Sequence, residues 1–207
     1  MKMNNYEIPL LPGACYHIYN HANGFDNLFK NEGNYHYFLK KYAKYIAPIA
    51  DTFAYCLMPN HIHFLIRIKA APFLPQSFFQ TSEGINTTTL SISRKFGSLF
   101  NGYAQAFNKQ QGRKGSLFVP NFKRKLVEHP TYFARLIYYI HYNAVEAGLV
   151  AHPSLWPHSS FMPLLSDKPS RLCRDEVFSF FGGREAFLDA HAIRPHDSIL
   201  KMALDWN

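Results

Sequence analysis

The stretch TFAYCLMPNHIHFLIRI, residues 52–68, decides the fold. Residues 52–58 and 61–68 are β-branched and aromatic runs separated only by Pro59-Asn60, so they read as an antiparallel hairpin with a two-residue turn. Side chains in a strand alternate between its faces. His61 and His63 therefore point one way, while Ile62, Phe64 and Ile66 point into the core. Two imidazoles one residue apart on a strand can ligate one metal ion, and a third ligand then has to come from elsewhere in the chain.

Upstream, residues 15–20 (CYHIYN) read as a first strand ending in the turn-prone HANG. Between it and the hairpin, residues 34–49 carry Tyr35, Phe38, Leu39, Tyr42, Tyr45 and Ile46 at helical spacing. Downstream, residues 70–84 are rich in Pro, Ser and Thr and read as a long loop. Ile92, Phe96, Leu99, Phe100, Tyr103 and Phe107 mark a second helix that Gly112 and Gly115 end, and residues 116–127 contain a fourth strand. The order β-α-β-β-α-β predicts an α+β fold with a ferredoxin-like antiparallel sheet. A third helix begins at Pro130, where a first turn tolerates proline, buries Phe133, Leu136, Ile137, Ile140 and Ala144, and stops at Gly148. Residues 1–150 form the expected main domain. Residues 151–207 form a C-terminal extension packed on it, with helices expected at 174–181 and 183–191.

The 207-residue chain is 47% hydrophobic and 16% aromatic, a composition that excludes a disordered protein. No apolar run approaches the roughly 20 residues that span a bilayer, and residues 1–12 lack a signal-peptide pattern, so the expectation is a cytoplasmic protein with no membrane partner. Cys15, Cys56 and Cys173 are too far apart to suggest a disulfide framework. The formal net charge of +8 is unevenly spread. Residues 1–150 hold 16 of the 22 Lys and Arg against 7 of the 14 acids, a balance of +9; residues 151–207 hold 6 and 7, a balance of −1. Residues 84–127 contain Arg94, Lys95, Lys109, Arg113, Lys114, Lys123, Arg124 and Lys125 and not one Asp or Glu. An acid-free basic stretch suits a phosphate backbone. Arg94, Lys95, Arg113, Lys114, Lys123, Arg124 and Lys125 are thus candidate DNA-binding residues, joined by Arg67, which shares the strand face of His61 and His63.

On the third helix Tyr139 and Asn143 are four residues apart and sit one turn above each other. Helical geometry sets Tyr139 at the flank of the buried stripe, alongside Tyr132, Arg135, Tyr142, Asn143 and Glu146. With 13 tyrosines in the chain, plain packing is the competing reading of Tyr138, Tyr139 and Tyr142.

Taken together, YHIYN at 16–20, CLMPNHIHFLIRI at 56–68 and YIHYNAVEAGLV at 139–150 resemble the single-tyrosine HUH transposases of bacterial insertion sequences, HUH standing for His-hydrophobic-His. The similarity is greatest to the REP-associated tyrosine transposases, and LWPHSSF at 155–161 resembles the tryptophan-serine motif of that group. The resemblance implies a ferredoxin-like sheet, a divalent metal (Mg²⁺ or Mn²⁺) on His61, His63 and Asn143, and Tyr139 as the nucleophile. It also implies a 5′-phosphotyrosine link, single-stranded or hairpin DNA as partner, a nucleoid-associated location, and either a monomer or a homodimer. Two residues depart from the family pattern: Ala144 stands where proline is common, and His21 where an arginine is common. Two other functions share these features. One is a non-catalytic nucleic-acid-binding protein with a ferredoxin-like sheet, which would need exposed aromatic residues on that sheet. The other is an HUH replication-initiator nickase, which differs in its DNA target.

Overall fold

The structure, a computed structural model, describes residues 7–79 and 85–192. Four strands, β1 (Cys15–His21), β2 (Ala50–Leu57), β3 (His61–Ile68) and β4 (Lys123–Leu126), form one sheet in the order β2-β3-β1-β4. All neighbours are antiparallel, and in the central pair Tyr19 lies opposite His63 and His21 opposite His61. Helix α1 (Glu32–Tyr45) connects β1 to β2, and α2 (Ile85–Gln111) lies between β3 and β4. This is the α+β, ferredoxin-like order predicted from the sequence. Three residues, Met58, Pro59 and Asn60, separate β2 from β3, and the Met58 N–H donates to the His61 carbonyl at 2.8 Å across Pro59-Asn60.

Where boundaries differ from expectation, the causes are local. Helix α1 begins where the Asn31 side chain accepts the Asn34 N–H at 3.1 Å. It ends at Tyr45 rather than at residue 49, because Pro48 cannot continue a helix and disfavours helical backbone at Ala47. The loop expected at 70–84 contains two 3₁₀ turns, Ala71–Phe73 and Gln76–Phe78, while its residues 80–84 lie outside the described residues. In the extension, α5 (Arg174–Phe181) and α6 (Arg184–Ala192) occupy the expected places, and a short α4 (Phe161–Leu165) precedes them. Residues 193–207 of the extension lie outside the described residues.

Both faces of the sheet are covered. Tyr16, Ile18, Ile62, Phe64 and Ile66 pack beneath α1 and α2 against Phe38, Tyr42, Phe96, Leu99 and Tyr103. On the other face, Phe53, Ala54, Cys56 and Leu65 pack beneath α3 (Pro130–Glu146), which contributes the predicted stripe of Phe133, Leu136, Ile137, Ile140 and Ala144. Each large side chain buried this way contributes about 1.5–3 kcal/mol. Phe161, Leu164, Val177 and Phe187 extend this second core, so residues on both sides of position 150 share it. Gly148 closes α3 with a φ of 69°, a left-handed conformation that a side chain would strain.

Candidate active site

Helix α3 lies across the sheet so that Tyr139 and Asn143 meet the end of the β1–β3 pair. Asn143 Oδ1 is 3.3 Å from His61 Nε2. The Tyr139 ring stands edge-on to His63, with centroids 5.6 Å apart. Four residues singled out in the sequence, from two segments about 80 positions apart, thus converge. Strand alternation and register add three neighbours from β1. His17, Tyr19 and His21 share the face of His61 and His63: His21 stacks on His61 at 4.8 Å, and Tyr19 stacks on His17 at 4.9 Å.

Burial sets the protonation of this cluster. Loss of solvent lowers His61 to a pKa of about 4 and His17 to about 3, and holds His63 well below its ordinary value. All three are neutral at neutral pH, and a neutral imidazole carries one N–H. His61 nevertheless has an amide oxygen at each nitrogen: Asn60 Oδ1 is 2.8 Å from Nδ1, and Asn143 Oδ1 is 3.3 Å from Nε2. With the proton on Nδ1, at the shorter contact, the lone pairs of His61 Nε2 and Asn143 Oδ1 face each other. A cation suits that arrangement, since adjacent ligand atoms on an octahedral ion with bonds of about 2.1 Å stand about 3 Å apart. Among the described residues no group of three His, Cys, Asp or Glu side chains could hold a metal ion. Asn143, whose amide oxygen meets His61, could serve as a third ligand beside these imidazoles. The Asn143 amide donates its own N–H to the Tyr139 carbonyl at 3.1 Å, which turns its oxygen toward His61. Burial raises the pKa of the Tyr139 phenol, and a hydrogen bond with Asn143 offsets part of that rise.

The far side of α3 is braced by the segment after it. His141 Nε2 lies 2.8 Å from Ser160 Oγ, which also accepts the Tyr55 N–H of β2 at 2.8 Å. His141 Nδ1 meets His191 Nε2 of α6 at 3.0 Å, and the Tyr142 hydroxyl donates to the His191 carbonyl at 2.7 Å. Trp156 donates to the Leu57 carbonyl at 3.2 Å, and His158 stacks on Tyr35 of α1 at 3.5 Å. LWPHSSF is therefore the strap that ties α3, β2 and α1 together. Tyr142, expected on the flank of Tyr139, is instead 3% exposed and stacked on Tyr138 at 4.2 Å, because α6 covers that side.

The candidate DNA-binding cations divide. Lys123 and Lys125 lie on the site's own face, opposite Tyr19 and His17, with Lys123 Nζ 5.8 Å from the centre of the Tyr19 ring and Lys125 Nζ 5.9 Å from that of Tyr132. Strand alternation turns Arg124 to the opposite face. There it is 9% exposed, donates to the Ile8 carbonyl and stacks 5.0 Å over Phe122, which corrects its expected place among the outward cations. Arg67 also departs from expectation: it lies far from His61 on β3, paired with Asp51 at 3.0 Å and Glu176 at 2.6 Å. Arg113 is held by Asp26 at 2.6 Å. Lys95 lies 5.8 Å from the centre of the Phe78 ring. Arg94 and Lys114 are exposed, and Arg94 lines a groove of about 680 Å³ between α2 and residues 115–122.

The departures from the family pattern have local consequences. Ala144, fully buried, lets α3 run unbroken to Glu146. His21 sets a second imidazole against His61. His17, Tyr19 and Asn60 were not singled out as site residues, although the alternation in CYHIYNH puts His17, Tyr19 and His21 on one strand face.

No family model matches the chain. In sequence it is similar to a Haemophilus influenzae protein described as a REP-associated tyrosine transposase, with 26% identity over 113 residues, 54% of this chain and 58% of that relative. The matched segment thus spans little more than half the relative's length. In fold it is similar to the solved structure of a REP-associated tyrosine transposase bound to a REP hairpin, with a TM-score of 0.53 and 17% identity over 81% of this chain and 89% of the other. The resemblance carried by the motifs returns in both comparisons: this chain is similar, in sequence and in fold, to REP-associated tyrosine transposases.

Proposed function

We propose that this chain is a metal-dependent DNA strand transferase that cuts single-stranded or hairpin DNA with Tyr139 and rejoins the cut strand to another. The observation that carries this reading is the meeting of His61 Nε2 and Asn143 Oδ1 at 3.3 Å, beside a tyrosine on the same helix. A Mg²⁺ or Mn²⁺ ion held by His61, His63 and Asn143 would neutralise charge on the scissile phosphate and favour the phenolate. The Tyr139 oxygen attacks phosphorus, the bond from phosphorus to the 3′ oxygen breaks, and that oxygen gains a proton as a 3′ hydroxyl. The phenol proton passes to solvent. The resulting 5′-phosphotyrosine conserves the bond, so a second 3′ hydroxyl can reverse the step on another strand. His63 and Asn143 hold the tyrosine in line, and Lys123 and Lys125 flank it as contacts for neighbouring phosphates. The hairpin named for the structural relative supports hairpin DNA as the partner.

All four central residues meet within one chain, and the reading holds for a monomer or a homodimer. Residues 1–150 are read as the catalytic domain and 151–207 as an extension whose described part, up to residue 192, braces it. A non-catalytic module that stacks bases on an open sheet is disfavoured, because α1 and α2 cover one sheet face and α3 the other. An initiator-type nickase would share this site and differ in its DNA target. The test is incubation with end-labelled hairpin oligonucleotides. Cutting that requires Mn²⁺ or Mg²⁺, stops with EDTA and spares blunt duplex is expected. Binding without any cutting in Mn²⁺ would leave only the non-catalytic reading.

A further inference from the structure

Each of the two imidazoles has a partner at Nδ1, and in His61 this is the nitrogen opposite the one that meets Asn143. His61 Nδ1 lies 2.8 Å from Asn60 Oδ1. His63 Nδ1 lies 2.9 Å from Nε2 of His17, whose ring is tilted only 19° from that of His63. Asn60 sits in the β2–β3 turn and His17 in the middle of β1, so the partners come from different elements and converge on equivalent atoms.

An imidazole that offers its Nε2 lone pair to a cation keeps its only proton on Nδ1. That proton needs an acceptor, and the acceptor also decides which way the ring faces. Without one, a half-turn about the Cβ–Cγ bond exchanges Nε2 for a ring carbon. Asn60 Oδ1 is an acceptor by chemistry. His17 Nε2 becomes one when its own proton is on Nδ1. His17 is 2% exposed and lies behind His63, opposite Leu65, so it touches neither solvent nor a DNA strand on the surface.

We infer that His17 and Asn60 are positioning residues, which accept the Nδ1 protons of His63 and His61 and thereby present both Nε2 atoms to one metal ion. The inference rests on the metal site proposed above and adds two residues to it, neither of which ligates. In families of metal sites, loss of such a partner typically weakens binding by about 10- to 100-fold.

The experiment titrates Mn²⁺ calorimetrically into the full chain and its variants, with thermal unfolding recorded for each. His17→Phe keeps a flat ring and has no acceptor; His17→Gln restores an acceptor on a flexible stem. Asn60→Ala removes the other acceptor at an exposed turn, where folding is not at stake. Mn²⁺ affinity is expected to fall at least tenfold in His17→Phe and in Asn60→Ala, and to recover by more than half of that loss in His17→Gln. Wild-type affinity in a folded His17→Phe chain, or a His17→Gln chain as weak as His17→Phe at equal thermal stability, overturns the role of His17. Should His17→Phe fail to fold, the comparison of His17→Gln with wild type decides, and a drop of tenfold or more there contradicts the inference. Wild-type affinity in Asn60→Ala overturns the role of Asn60. A wild-type chain that binds no Mn²⁺ refutes the metal site itself, a result distinguishable from all of these.

Discussion

On one side of α3, His61 and His63 meet Tyr139 and Asn143; on the other, His141 meets His191 and Ser160. The second cluster is buried and the first partly so, and in both, loss of solvent keeps the rings neutral. They differ in how the ring nitrogens are spent. His191 Nδ1 donates to the Phe187 carbonyl at 2.8 Å, its Nε2 accepts from His141 Nδ1, and His141 Nε2 accepts from Ser160. One proton per ring satisfies that chain, with no lone pair left over. At His61 one proton cannot serve two amide oxygens, so a lone pair is left facing another lone pair. A histidine cluster is thus read by counting protons and lone pairs rather than by counting histidines. A closed count fits a brace, and an open one fits the cation proposed above.

The largest effect that could break this contrast is on metal binding. His61→Ala should weaken Mn²⁺ binding by at least ~100-fold while moving stability by only about 1 kcal/mol, because the ring is partly exposed and ends at a site rather than in a core. His141→Ala should do the reverse. It empties a fully buried position and strands Ser160 and His191, at a cost of about 3 kcal/mol, or roughly 6–12 °C in melting temperature. Calorimetric titration and thermal unfolding of the two variants, side by side, check both halves. Equal metal loss in both variants would erase the distinction.

Acid should loosen the brace. His191 has a pKa of about 4 in the folded chain against about 6.5 when unfolded, so in between the unfolded chain binds more protons. Stability is therefore full above pH ~6.5 and is lost as the pH falls toward 4, by about 3 kcal/mol for this histidine alone. Urea midpoints measured at pH 7.5 and 4.5 should show that drop, and identical midpoints would refute it. The smallest effect sorts the basic strand. Lys123→Ala with Lys125→Ala should flatten the salt dependence of single-stranded DNA binding by about 1.4 in log-log slope, at ~0.7 per phosphate contact. Arg124→Ala should leave the slope unchanged and lower stability instead. The opposite pattern would move the DNA path to the other sheet face.

Much of the fold was legible because its signals are local. The turn at Pro59-Asn60, the alternation in β1 and β3, and the apolar stripe of α3 each depend on neighbours in the chain, and all reappear in the structure. So does the pairing of Tyr139 with Asn143, which helical spacing alone provides. What escaped depends on distant partners. Of the two partners of Arg67, Glu176 lies 109 positions away while Asp51 faces it across the hairpin and could have been read from the register, and Tyr142 looked like a flank residue because nothing in α3 announces that α6 will cover it. Arg124 is a different case: once β4 is known to span Lys123–Leu126, alternation alone separates it from Lys123 and Lys125. His17 stayed unassigned because a histidine in an apolar strand is ordinarily a core residue. Its meaning comes from the 2.9 Å contact with His63, across 46 positions.

The central claim is that Tyr139 is the nucleophile on the open side of α3. Its most direct test is to incubate the chain with a 5′-labelled and a 3′-labelled hairpin oligonucleotide in Mn²⁺ and to look for a protein-DNA adduct that survives denaturation. An adduct on the 5′ phosphate of the cut strand is expected. That adduct should vanish in Tyr139→Phe, which removes only the phenolic oxygen, and persist in Tyr138→Phe and Tyr142→Phe, whose rings stack on the closed side against α6. An adduct that persists in Tyr139→Phe would contradict the central claim.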